Sequence, residues 1–206
     1  NIGTGMGNGN GSVSFGDLQI DNVGTGNTFT ASAAGRASAV SSPFDISPKA
    51  LTATITTSNK TYDGNNTASL TGRSPQGVVG MDSVTLSGGT ATFNNKNVGT
   101  GKTVSATGIS LDPVGDFAKY TFDGTSNGTA DINALAITVT ADPKTKTYGD
   151  ADPALTSQIT SGALISGDTL TGSLTRAAGT DIGTYLISST LANSNYAITY
   201  VGANLT

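Results

Sequence analysis

At 206 residues the chain exceeds one ordinary domain and is long enough for two or three small ones. Its formal net charge is only −4, 12% of residues are charged, and Cys, His, Trp and Glu are absent, so every acidic side chain is Asp. This excludes disulfides, zinc–thiolate sites and any Ser-His or Cys-His catalytic pair, and ten scattered Lys and Arg form no basic patch for nucleic acid.

Gly (28), Thr (34) and Ser (22) dominate, and Val, Ile, Thr and Tyr recur in alternating runs. Low net charge with frequent β-branched residues predicts a folded all-β chain and not a disordered one. No apolar run approaches the roughly 20 residues that span a bilayer, so membrane insertion is not expected. Residue 1 opens a Gly/Asn-rich stretch without a basic or apolar leader, so export is expected to be directed from outside these residues.

Residues 1–48 carry Asn22-Val-Gly-Thr-Gly26 followed by the strand pattern Thr28-Phe-Thr-Ala, and Pro43 and Pro48 punctuate their end. The pentapeptide recurs identically at Asn97 to Gly101, with a relative at Asp181-Ile-Gly-Thr184, and each copy runs into a strand. A second landmark occurs twice. Leu51-Thr-Ala-Thr-Ile-Thr-Thr-Ser-Asn-Lys-Thr-Tyr62-Asp-Gly64 aligns without gaps on Ile137-Thr-Val-Thr-Ala-Asp-Pro-Lys-Thr-Lys-Thr-Tyr148-Gly-Asp150. These landmarks divide the chain into 1–48, the C-terminal part of a preceding module, and two complete modules at 49–132 and 133–206. Only Asn133 and Ala134 separate the last two, so a stiff joint is expected.

Within 49–132, Leu51, Ala53 and Ile55 face one side of a strand and Thr52, Thr54 and Thr56 the other. Val84/Leu86, Ala91/Phe93, Val104/Ala106 and Tyr120/Phe122 continue the pattern, the last before an expected turn at 124–128. Within 133–206 the equivalents are Ile137/Val139, Leu170/Leu174, Tyr185/Ile187 and Tyr196/Ile198/Tyr200. Such alternation, with frequent turns, predicts antiparallel sheets with one wet face and a sandwich architecture.

Lys60-Thr-Tyr62-Asp-Gly64 resembles the signature of the YDG module. Lys146-Thr-Tyr148-Gly-Asp150-Ala-Asp-Pro153-Ala-Leu155, with Ser166-Gly-Asp168 and Asn195-Tyr196, resembles the "mostly bacterial immunoglobulin-like" MBG module. The resemblance covers about 49–206, and residues 31–46 resemble the closing strands of an immunoglobulin-like repeat. Phe117-Ala-Lys-Tyr120 departs from the Asn-Tyr pattern. The resemblance implies tandem immunoglobulin-like β-sandwich modules in an elongated array, from a large secreted or surface-displayed bacterial adhesin of the filamentous-haemagglutinin-like kind. It carries no catalytic residues.

Tyr62 and Tyr148 are candidate sugar-stacking aromatics. The stronger expectation is that both are buried turn pins whose hydroxyls reach backbone groups, so that Tyr148→Ala costs about 3–5 kcal/mol. Asp142/Asp150/Asp152 and Asp112/Asp116 lack the spacing of a calcium loop and read as turn chemistry. Lys60 and Lys146 are the candidates for a Lys–Asn isopeptide crosslink and read more simply as solvated lysines beside a turn. Residues 3–11 lack the ending of a phosphate loop. Asn65, Asn127 and Asn204 begin sequons.

No catalytic, cofactor-binding or metal-binding residue, no cofactor and no enzyme activity are expected. The leading expectation is a structural extender of an adhesin, with neighbouring modules of the same protein as partners. Two other expectations are a self-assembling fibre subunit, in which another copy's strand completes 1–48, and an adhesive surface for host or matrix glycans or other cells.

Overall fold

Short alternating runs between glycine turns give strands and almost nothing else. The sole helical element among the described residues is a 3-10 turn at Phe117–Lys119. The computed structural model describes residues 6–7, 13–15 and 20–206. Contacts divide the chain into two units: residues 1–52, 75–86 and 111–123, and residues 53–74, 87–110 and 124–206.

The first unit is built of short ribbons. Gly24–Asn27 pairs antiparallel with Phe44–Ile46, Thr30–Ala31 with Ala39–Val40, and Lys49–Ala50 runs parallel to Tyr120–Thr121. The rings of Phe29 and Phe44 stack at 5.0 Å, and Leu51 and Tyr120 are its buried apolar residues.

In the second unit, a six-stranded sheet has the order Thr52–Ser58, Thr67–Gln76, Leu86–Phe93, Gly99–Leu111, Thr125–Asn133 and Lys60–Thr61. Its core is Ile55, Tyr62, Ala91, Phe93, Val104, Ala106, Ile109, Ala130 and Ile132. Two three-stranded sheets follow, Ser157–Ser161 with Leu135–Ala141 and Tyr196–Val201, and Leu174–Arg176 with Tyr185–Ser189 and Ala203–Leu205. They bury Ile137, Val139 and Ala141 from one sheet and Ile187 and Leu205 from the other, as the alternation predicts.

Two expectations need correction. The sheets are mixed, not purely antiparallel: Leu135–Ala141 runs parallel to Tyr196–Val201, and Ile132 and Asn133 pair in parallel with Lys60 and Thr61. Parallel neighbours need a long crossover, and nearly a whole module supplies it between the first pair. The turn expected at 124–128 is confined to Gly124, whose φ is +82°. Gly128 lies mid-strand because a Cβ there would stand 3.0 Å from Cγ1 of Ile55.

The repeated Asn-Val-Gly-Thr-Gly has a single physical cause. In both copies the strand bulges just after its first glycine. Gly24 and Asn27 pair with Ile46 and Phe44, and Gly99 and Lys102 pair with Ile132 and Ala130, so two residues oppose one aspartate. The last glycine takes a φ of +66° (Gly26) or +58° (Gly101). Its N–H, turned out of the ladder, donates to Oδ1 of the opposing Asp45 at 2.8 Å or Asp131 at 2.7 Å. The third copy has Tyr185 in place of that glycine and pairs regularly with Leu205, without a bulge. It is one residue shorter, with buried Val104 seven positions after Asn97 and buried Ile187 six after Asp181.

Gly101→Ala forces a side chain into left-handed backbone, and Asp131→Ala strands the bulge N–H. Each is expected to lower stability by about 1–2 kcal/mol in urea unfolding. Gly183→Ala, at ordinary φ and in open space, should be neutral or slightly stabilising.

Candidate functional site

Lys60 anchors the turn that carries Tyr62. Its ammonium donates to Asp63 Oδ1 at 2.7 Å and to the carbonyl and side-chain oxygens of Asn65 at 2.9 and 3.0 Å. Partial burial pushes the Asp63 carboxyl up, but Lys60 and the Asn65 N–H outweigh it and hold the group below its ordinary range. An ionised acid and a paired ammonium make a clamp, whereas isopeptide chemistry needs a neutral amine and a protonated acid.

Tyr62 leaves this turn with 2% of its surface exposed. Its hydroxyl was expected on a nearby backbone group. It donates instead to Oδ2 of Asp168, 106 residues away, at 2.8 Å. The same oxygen accepts the hydroxyl of Tyr196 at 2.7 Å, and that hydroxyl oxygen accepts the N–H of Ile165 at 2.8 Å. The Tyr62 and Tyr196 rings meet edge to face, with centroids 5.6 Å apart. Gly64 belongs to the joint as well: its φ is +79°, and a Cβ would stand 2.6 Å from Cγ2 of Ile165.

Three further contacts close the joint. Tyr62 N–H donates to the carbonyl of Asn133 at 2.8 Å, and Leu135 N–H to that of Asn195 at 3.0 Å. The Asn195 amide accepts the Val98 N–H at 3.0 Å and donates to Oδ1 of Asn97 at 3.4 Å. Both residues between the modules therefore lie inside a hydrogen-bonded frame.

Burial first, and then the bond to Asp168, push the Tyr62 phenol up to about 12 and raise that of Tyr196. The two phenolic donors, Tyr196 foremost, hold the Asp168 carboxyl below its ordinary range. At neutral pH the site is one carboxylate shared by two neutral phenols. All three groups satisfy one another, which makes a lock and leaves no group poised for proton transfer.

The first unit repeats half of this arrangement. The Tyr120 hydroxyl donates to Asp82 Oδ2 at 2.7 Å and accepts the Val79 N–H at 2.9 Å. The spacing Val79…Asp82 matches Ile165…Asp168. Here no second tyrosine is bonded to the carboxylate, and Lys119 lies on its other oxygen at 3.1 Å.

Tyr148 overturns its expectation. It is 72% exposed and forms no core, so Tyr148→Ala removes little buried surface. Tyr62 is the residue that fits the buried role, and burial takes it out of sugar stacking. Lys146 does repeat the clamp, donating to the Asp150 carbonyl at 2.9 Å and to Asp152 at 2.8 Å, while Arg176 takes the other Asp152 oxygen at 2.7 Å.

The candidate calcium carboxylates are engaged separately. Asp142 accepts the Thr156 hydroxyl, Asp112 that of Thr85, and Asp116 the Ser83 N–H and Lys119. Among the described residues no three acidic groups converge. The glycine-rich stretch at 3–11 falls largely outside the described residues.

Tyr62→Phe deletes one hydrogen bond to a charged acceptor, and is expected to cost about 1–2 kcal/mol in urea unfolding. Tyr148→Phe, at the matching but exposed position, should change stability by less than about 0.5 kcal/mol.

Residues 47–130 match the family model of the YDG domain, and residues 137–206 match that of the MBG domain (YGX type). No curated protein and no solved structure matches the chain. The matched tyrosine turns are those compared above, Tyr62-Asp-Gly64 in the first domain and Tyr148-Gly-Asp150 in the second. Neither family is enzymatic, and both are typical of extracellular bacterial proteins. No helix among the described residues is long and apolar enough to cross a membrane. The chain thus carries a YDG domain followed in tandem by an MBG domain of the YGX type, the two locked to each other through Tyr62, Asp168 and Tyr196.

Proposed function

We propose that the chain is a non-catalytic extender segment of a secreted or surface-displayed bacterial adhesin, in which YDG and MBG modules follow one another through fixed joints. One observation carries this reading: the only two residues between the modules are framed by backbone hydrogen bonds, beside a carboxylate shared by a tyrosine from each side. A flexible tether would leave those groups to water. An extender gains from the opposite arrangement, because a joint that resists bending holds a distal adhesive surface away from the cell. The neutral Thr- and Ser-rich faces suit a spacer that resists non-specific association.

The absence of cysteine permits a direct test. Spin labels on Ser69→Cys and Thr175→Cys, both at exposed positions and one in each module, report the inter-module distance distribution. A narrow distribution that broadens in Asp168→Ala is expected. A distribution already broad in the parent protein, or unchanged by Asp168→Ala, would count against the extender.

A further inference from the structure

Each half of the Tyr62–Asp168 lock occurs once more in the chain without its complement. The tyrosine half recurs at Lys146-Thr-Tyr148. The Lys146 clamp is formed there, but Tyr148 is 72% exposed and is the one tyrosine of six without a hydrogen bond among the described residues. Beside it, Ile182 stands where Val98 stands in the formed lock, and it is 90% exposed. The carboxylate half recurs at Asp82 and Tyr120, where a groove is lined by Val23, Val79, Met81, Asp82, Lys119 and Tyr120. Met81 is 98% exposed, and residues 1–48 contain no tyrosine that could enter the groove.

The two incomplete halves are also complementary in charge. In the formed lock Asn97 meets Asn195, a neutral amide pair. At the exposed end the counterpart of Asn97 is Asp181, and at the groove the counterpart of Asn195 is Lys119. A neutral pair has become an acid on one side and a base on the other, which favours this pairing over either end meeting itself.

From these observations we propose that a second copy of the chain docks head to tail. Tyr148 of one copy enters the groove of the next and donates its hydroxyl to the Asp82 carboxylate beside Tyr120, with Asp181 facing Lys119. The contact is heterologous, so copies add in series. It is an end-to-end contact through side chains, distinct from completion of a sheet by a foreign strand. The inference goes beyond the extender reading and stands apart from it, since its failure would leave the distance distribution across the Tyr62–Asp168 lock unchanged.

Sedimentation velocity of the full chain, from micromolar to near-millimolar concentration, tests it. The sedimentation coefficient of the parent protein is expected to rise with concentration, and to rise less at high salt as the Asp181–Lys119 attraction is screened. Tyr148→Phe, which removes only an exposed hydroxyl, should weaken association about tenfold, as should Asp82→Asn. An equimolar mixture of Tyr148→Ala and Asp82→Asn should form a species that stops at two copies, because each partner retains one working end. A parent protein that stays monomeric throughout would overturn the proposal. So would association indifferent to Tyr148→Phe and Tyr148→Ala, or a mixture that fails to pair while the parent protein associates.

Discussion

Asp168 takes two phenolic protons on a single oxygen, one from its own module and one from the module before it. A half-buried carboxylate is stable only when its lost hydration is replaced by well-placed donors, and bonds to a charged acceptor contribute more than neutral ones. Here the donors are aromatic side chains, so the groups that satisfy the charge also supply the apolar surface that excludes water. Removing any one of the three leaves the others partly desolvated and unpaired. The glycine of the Tyr-Asp-Gly turn, the Asn-Tyr pair and the Ile165 backbone all gain a purpose from their placement around that oxygen.

This solution suits a chain with no cysteine and few charges. Disulfides are not an option, and isolated surface ion pairs contribute little. The molecule instead uses backbone geometry and local clamps. Bulges at Gly26 and Gly101 hold an N–H against an aspartate, and Lys60 and Lys146 each draw a turn closed around several oxygens. Each is a small effect, repeated at matching positions. The tyrosine joint differs in kind, because it ties one module to the next.

Much of the architecture was legible in the sequence because it depends on short-range pattern. The ungapped match of Leu51 to Ile137 has an exact structural counterpart, with Lys49 paired to Tyr120 and Leu135 to Tyr196 in the same parallel register. The joint was not legible, because its partners lie 106 residues apart and no local rule links a tyrosine in a turn to a distant aspartate. Tyr62 and Tyr148 illustrate the limit. Their local sequences are nearly the same, yet one is buried and the other exposed, because burial is decided by what packs on the turn. Repetition of Asn-Val-Gly-Thr-Gly was plain, but its cause lay in Asp45 and Asp131, 19 and 30 residues further on. Gly128 was misread as a turn residue because a glycine required by crowding against Ile55 looks, in sequence, like one required by backbone angle.

The central claim is that Tyr62 and Asp168 act as one unit across the two modules. A double-mutant cycle of Tyr62→Phe and Asp168→Ala, read by urea unfolding of the full chain, measures this directly. The two changes are expected to be non-additive, with a coupling energy of about 1 kcal/mol or more. Losses that sum to within about 0.5 kcal/mol would show that the two residues stabilise the protein independently, and would contradict the account.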